Sequence, residues 1–327
     1  MIPNPIVSQT QFSFPDLRLV VYITGWIASF YELAHPQTRG RPRTFSLTQI
    51  LSILVIKEFS QQSFRSIGSW FHQHPEYLLL CGLDRCPSFQ TLSYRCTRMD
   101  YHGLIRLSLF VFRITQPLYR FFRIGAVDGI IVKPCKAHRA QGTLYKHRDP
   151  NAYWIASTKQ LFEFGYKVVL GCDAVSGLIQ GYRFFTQNVS EMVGLRALMS
   201  CFKTFSYLLL DAAYDSIYCF CLLRKETAVL PIIDINRRTT GKDPSENDNS
   251  IRWLMKSIRA QYKALYRKRW EKKRINNVLE SQFTMEFIYY TRNRYYEQAV
   301  GIKILSYNIQ VICNRLFDRP HKKKIVT

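Results

Sequence analysis

Apolar residues in this chain change their spacing part-way along. Up to about residue 124 they recur every three or four positions, the period of a helix face. The run from Leu17 to Ala34 is apolar but is broken by Arg18, Tyr22 and Tyr31. It falls short of the ~20 apolar residues a membrane span needs, so it predicts an amphipathic core helix. The block Ile50-Leu51 with Ile53-Leu54-Val55-Ile56 predicts a second helix, after the basic stretch Arg39-Gly40-Arg41-Pro42-Arg43. Phe64 to Phe71 reads as a short third helix. Pro87-Ser88-Phe89-Gln90-Thr91-Leu92 reads as a turn and a helix start, with Ser88 as N-cap. Residues 1–16, which hold Pro3, Pro5 and Pro15, read as an irregular lead-in.

Beyond Gly125 the apolar residues gather into short runs bounded by turn residues. Ala126 to Val132 is one, with Asp128 inside it. Tyr166 to Asp173 and Leu178 to Phe185 are two more, joined through Val175-Ser176-Gly177, and they predict a hairpin. Glu191 to Phe202 is helical in period. Tyr207 to Leu210 is a fully apolar strand that ends on Asp211, Ile217 to Arg224 is helical, and Ala228 to Ile233 is a strand that Pro231 places at an edge. Strand, hairpin, helix, strand, helix, strand predicts an α/β fold: a mixed sheet flanked by helices, in the order of a ribonuclease-H-like core, preceded by a helical domain. Residues 234–250 read as an exposed loop. From Ile251 to about Phe287 a long basic segment reads as one or two helices. A terminal helix is expected from Tyr296 to Phe317, and His321-Lys322-Lys323-Lys324 as a disordered tail.

Charge then narrows the class of partner. Across 327 residues there are 46 Lys+Arg against 23 Asp+Glu, a formal net charge of +23. Such a surplus repels itself unless something acidic shares the surface, and nucleic acid is the usual partner. A membrane-surface protein tends to concentrate its charge in one amphipathic helix or tail. Here it runs throughout, so no membrane partner is expected. The nine cysteines form no paired CxxC array, which argues against zinc. Their odd number and the lack of a signal-peptide pattern suggest reduced thiols in the cytoplasm.

Two acids stand out. Asp128 inside one apolar strand and Asp211 at the end of another are costly unless paired or bound to a cation. Each alone reads more readily as a turn or cap. Together, on neighbouring strands of a very basic protein, they suit a hard divalent ion and in-line phosphoryl transfer. The segment 252–274 adds a cationic stripe at spacings of three and four. Arg259, Lys263, Arg267, Arg269, Lys273 and Arg274 are its candidate DNA contacts, with Arg252, Lys256, Lys268 and Lys272 alongside. The bland alternative is a solvated face. Against it, acids are nearly absent there, and Trp253, Tyr262, Tyr266 and Trp270 are interleaved, as base-stacking rings would be. Arg41 and Arg43 precede the helical region. Lys133, Lys136 and Arg139 follow the first strand, with His138 and His147. Arg292 and Arg294 lie beside tyrosines, and all are further phosphate candidates.

Ala126-Val127-Asp128-Gly129 resembles the first catalytic strand of the insertion-sequence DDE transposases. Leu208-Leu209-Leu210-Asp211-Ala212-Ala213-Tyr214-Asp215-Ser216 resembles the second. The hairpin of Lys167 to Leu178, Thr186-Gln187-Asn188-Val189-Ser190-Glu191, Gly40-Arg41-Pro42, Phe64-Arg65-Ser66-Ile67 and Pro87 to Leu92 are similar to family segments in the same order, so the likeness runs roughly from 39 to 317. It implies a DNA transposase that cuts and transfers strands with Mg²⁺ or Mn²⁺, acting on double-stranded transposon ends and target. A homodimer on DNA, associated with the nucleoid, is implied as well. The family's third carboxylate sits on a helix after the core. Leu279-Glu280-Ser281-Gln282-Phe283-Thr284-Met285 and Lys303 to Ile309 resemble its surroundings and favour Glu280 as the third ligand beside Asp128 and Asp211. A second register, set by Tyr266 and Arg269, puts Lys273 where the acid belongs and Glu280 where a lysine belongs. It leaves Glu271 or no third ligand. The expected organisation is a lead-in and helix over 1–38, a helical DNA-binding region over 39–124, a catalytic domain over 125–318 and a basic tail over 319–327. The rivals are a degenerate transposase that only binds DNA and a ribonuclease-H-like nuclease without strand transfer.

Overall fold

The computed structural model describes residues 14–36, 44–117, 123–134, 151–156, 162–236, 250–288, 293–317 and 319. The chain divides into two compact units, Met1–Val111 with Leu305–Thr327, and Phe112–Ile304.

The first unit is helical: α1 (Phe14–Ala34), α2 (Leu47–Phe59), α3 (Ile67–Gln73), α4 (Pro75–Leu80), α5 (Phe89–Cys96) and most of α6 (Tyr101–Thr115). A capping box starts α2: the Ser46 hydroxyl accepts the Gln49 amide N–H, and the Gln49 side chain accepts the Ser46 N–H. Every residue of α2 from Ile50 to Phe59 is buried, as expected of a helix apolar on all sides. By length and composition α1 could cross a membrane. It buries one stripe at helical spacing (Leu17, Val20, Ile23, Ile27) while Tyr22 and Leu33 stay exposed, the amphipathic arrangement its spacing predicts. Ser88 caps α5 by accepting the Thr91 N–H at 3.2 Å.

The second unit holds β1 (Ile124–Pro134), β2 (Tyr153–Ala156), β3 (Phe162–Asp173), β4 (Ile179–Phe185), α7 (Glu191–Leu198), β5 (Tyr207–Leu210), α8 (Ile217–Glu226) and β6 (Leu230–Ile233). Then come α9 (Ile251–Gln261), α10 (Lys263–Tyr266), a 3₁₀ turn Arg267–Arg269, α11 (Trp270–Ser281), β7 (Phe287–Ile288) and the first half of α12 (Asn293–Leu316), whose residues from Leu305 onward belong to the first unit. The sheet runs β2-β3-β1-β5-β6, with β4 also on β3 and β7 on β1. β1 is antiparallel to β3 and parallel to β5, and β5 is parallel to β6. The path β4-β3-β1-β5-β6 is the ribonuclease-H-like strand order that the sequence predicts. Pro231 does lie in the edge strand β6. The short strands β2 and β7 were not foreseen, and the basic segment after Ile251 is broken into α9, α10, the 3₁₀ turn and α11 rather than one or two helices.

Period-two alternation gives the sheet two different faces. Val127, Val169, Leu208 and Leu210 join Leu195, Leu198, Phe202 and Phe205 in one core. The other face carries Ala126 and Asp128 of β1, opposite Cys172 and Leu170 of β3. The hairpin turn closes on Gly177, whose φ of +84° lies in the left-handed region open to glycine. Gly165 is needed for a different reason. A Cβ there would stand 2.5 Å from the Val132 carbonyl oxygen, a backbone atom that cannot rotate away. Gly165→Ala is expected to destabilise the protein by on the order of 2–3 kcal/mol through forced separation of strands. Gly68→Ala, where nothing lies within 4 Å of the added carbon, should leave the melting temperature level or slightly raised; thermal unfolding of both variants checks the pair.

Candidate active site

The parallel register pairs Gly125 with Leu208 and Ala126 with Leu209. Two residues further along each chain, Asp128 and Asp211 fall on the same side of the sheet, close enough for the Asp128 charge to act on the Asp211 carboxyl. Asp211 lies just past the last residue of β5 and opens a 3₁₀ turn, Ala212–Tyr214, by accepting the Ala213 N–H at 3.0 Å. Asp128 turns one oxygen onto the Gly129 N–H, also at 3.0 Å. Each carboxylate keeps its second oxygen for the helical segment above it.

That segment is anchored to the strand end. The Tyr266 hydroxyl donates to the Leu210 carbonyl at 3.0 Å. One turn later Arg269 Nη2 meets Asp211 Oδ2 at 3.0 Å, a charge-assisted bond that contributes on the order of 1–2 kcal/mol. Asn276 Nδ2 approaches Asp128 Oδ2 at 3.4 Å. The Lys272 ammonium donates to Asn276 Oδ1, and Lys272 is only 1% exposed. Arg269, Lys272 and Asn276 are three and four residues apart, so one helical face looks onto the two aspartates.

Burial pushes the Asp211 carboxyl up, Arg269 pulls it down, and Asp128 and Glu191 push it up again. Burial lowers Lys272 and Asp128 raises it. Around the edge of the sheet a second network braces the turn after Asp211. Tyr214 donates to Glu191 Oε2 at 3.1 Å, and Lys167 pairs with Glu191 Oε1 at 2.6 Å. Burial, then Glu191, Asp211 and Asp128, raise the Tyr214 phenol well above its ordinary value. Lys167, Lys272 and Asn276 carried no signal of their own in the sequence. The spacing 269, 272, 276 could have marked α11, but Lys272 was counted as one more member of a cationic stripe.

The structure brings Asp128 and Asp211 together and does not bring Glu280 to them. Among the described residues, no three His, Cys, Asp or Glu side chains are grouped to hold a metal ion. Glu280 is exposed, and its carboxyl is pushed up by partial burial and by Glu286, against the pull of Lys272 and Lys133. Glu271 pairs with Arg274 at 2.6 Å.

The expected cationic stripe is split. Arg259 turns inward to Asp234 at 3.4 Å and over the Tyr266 ring at 3.5 Å, while Arg269 is taken by Asp211 and Lys272 is buried. Lys263, Arg267, Lys268, Lys273 and Arg274 remain exposed. Lys133 pairs with Glu286 at 2.7 Å. Arg41, Arg43, Lys136, Arg139 and Arg292, with His138 and His147, lie outside the described residues, as does the side chain of Arg294.

The family model of the transposase DDE domain matches residues 119–309, more than half of the chain. The chain belongs to the transposase DDE domain family. Among solved structures, a piggyBac transposase synaptic complex with hairpin DNA aligns over 95% of this chain and 78% of its own, at 12% identity and a TM-score of 0.45. A pre-cleavage Mos1 transpososome aligns over 88% and 84%, at 9% identity and a TM-score of 0.19. No curated protein sequence matches. Within this DDE domain the donor set fits one hard cation: two adjoining, partly exposed carboxylates can share it. Among the described residues no third carboxylate for a second ion lies beside them, and the amide oxygen of Asn276 is already occupied by Lys272.

The Arg269–Asp211 pair has a testable sign. Without the guanidinium, the Asp211 carboxyl should climb further above its ordinary value of 3.8. A folded-state value raised in this way stabilises the protein fully below the unfolded value, and that stability is lost as pH rises through the folded value. The melting-temperature gap between Arg269→Met and wild type is therefore expected to widen from about pH 4 to about pH 7. Adding Asp211→Asn should remove the widening. A gap that stays constant with pH would mean that Arg269 acts through packing alone.

Proposed function

We propose that this transposase cleaves and transfers DNA strands of an insertion sequence, with Asp128 and Asp211 as the carboxylates that hold a divalent ion, Mg²⁺ or Mn²⁺. The observation that supports this most is the register of β1 on β5, which brings two otherwise costly carboxylates side by side on an accessible face. The ion would supply charge neutralisation for the phosphoryl oxygens. The protein's own residues position and hold charge. Arg269 fixes one oxygen of Asp211, and the Ala213 N–H fixes the other. Asn276 and the Gly129 N–H orient Asp128. In the first step water attacks the scissile phosphorus and the P–O3′ bond breaks, freeing a 3′ hydroxyl. In the second that hydroxyl attacks a target phosphate, and a P–O bond there breaks in turn.

Residues 39–124 are proposed to bind the transposon ends, and 125–318 to carry the chemistry, as a homodimer on double-stranded DNA in the nucleoid. Glu280 is the proposed third carboxylate only if α11 moves: the helix rises about 12 Å between Lys272 and Glu280. The buried Lys272 beside Asp128 favours a second reading, a transposase descendant that binds DNA without cutting it.

Asp128→Asn and Asp211→Asn are each expected to lower strand cleavage by on the order of a thousandfold or more, with end-DNA affinity within about twofold of wild type. Cleavage surviving either change removes the assignment. On a pre-cut end with Mg²⁺ or Mn²⁺, a transposase joins strands, a nuclease only hydrolyses them, and the binding-only descendant does neither.

The exposed cations Lys263, Arg267 and Lys273 are proposed to follow the DNA backbone. Changing each to alanine should reduce the salt slope of DNA binding by roughly 0.9 per lost phosphate contact, whereas Arg259→Ala should leave the slope unchanged. Equal slopes across all four variants would discard this division of the stripe.

A further inference from the structure

The charges on the α11 face carry a second conclusion, which rests on Asp128 and Asp211 being the ion-binding pair. A two-ion site places two positive centres against three carboxylates. Here the helix offers no carboxylate at the aspartates. It offers Arg269 to Asp211 and, through Asn276, Lys272 to Asp128. Lys272 is buried and its ammonium donates to Asn276, so the group is held in place rather than mobile at the surface, with burial working against its charge and Asp128 in favour of it. Beneath it on β3, Cys172 supplies no counter-charge, because burial pushes its thiol up to about 12. Asp128 is the charge that most favours the Lys272 ammonium, ahead of Glu280.

We infer that Lys272 stands as a built-in positive charge where a second divalent ion would otherwise be held, so that this transposase carries one divalent ion per chain. Asn276 is the coupling piece. Its amide oxygen, which could have served as an ion ligand, accepts from Lys272, and its amide nitrogen faces Asp128. A second divalent ion at Asp128 would meet a like charge and find the Asn276 oxygen already taken. A lysine that merely pins α11 to the sheet is the competing explanation, and it makes no claim on ion number.

The test counts ions on the full-length protein with Mn²⁺ alone, by electron paramagnetic resonance of free against bound Mn²⁺ and without reference to cleavage. Wild type should bind one Mn²⁺ per chain, and Asp128→Asn or Asp211→Asn should lose it. Lys272→Gln should raise Mn²⁺ affinity by on the order of tenfold, the scale of removing a unit charge beside a divalent ion. Lys272→Glu, which returns a third carboxylate, should bind two. Circular dichroism keeps the comparison to folded variants, and Lys272→Met serves where Lys272→Glu does not fold. A wild-type count of none or two overturns the inference, as does a count and affinity that ignore Lys272 substitution. If Asp128→Asn and Asp211→Asn both bind Mn²⁺ as wild type does, the ion-binding pair itself is misplaced.

Discussion

Two carboxylates held side by side at the end of a buried sheet repel one another and resist losing water, and the second unit is arranged around that cost. Each aspartate gives one oxygen to a backbone N–H of its own strand end or turn. Each gives the other to α11 or the turn leading into it. The anchor between Tyr266 and the Leu210 carbonyl fixes where that helical segment starts relative to the sheet, so Arg269 reaches Asp211 and the following turns reach Asp128. The Lys167–Glu191–Tyr214 network performs the same task from the far side, holding the turn that Asp211 opens. Geometry at the aspartates is thus set by three separate elements rather than by the strands alone.

The order of strands was legible because each run is short, apolar and bounded by turn residues, and because Tyr207 to Leu210 is buried enough to drop alternation altogether. Asp128 and Asp211 were legible for the related reason that an acid inside such a run is conspicuous. β2 was not, because Tyr153 to Ala156 is too short to show a period, and β7 has only two residues. The partner of the aspartates was hidden by composition. In a stretch with so many Lys and Arg, a buried lysine and an inward-turned arginine look the same as solvated ones. Only the sheet decides which side of α11 is covered.

The same limit explains the basic stripe. Spacing alone joins Arg259, Lys263, Arg267, Arg269 and Lys273 into one face, but the break between α9 and α11 rotates some inward. Acids scattered elsewhere in the sequence (Asp211, Asp215 and Asp234) claim Arg269, Arg252 and Arg259. Much of the cationic excess near the aspartates is therefore structural, and the share left to face a polyanion is smaller than the net charge suggests.

The alternation of β1 has a consequence for how such a chain can vary. Ala126 and Asp128 face α11, while Val127 faces the opposite core. A single residue gained or lost between Ile124 and Asp128 would send the carboxylate into the apolar layer and bring Val127 or Gly129 to the reaction side. Two residues gained or lost would restore the side but shift Asp128 by about 6.6 Å along the strand, away from Asp211. In this stretch lineages can exchange one side chain for another, but length itself is frozen.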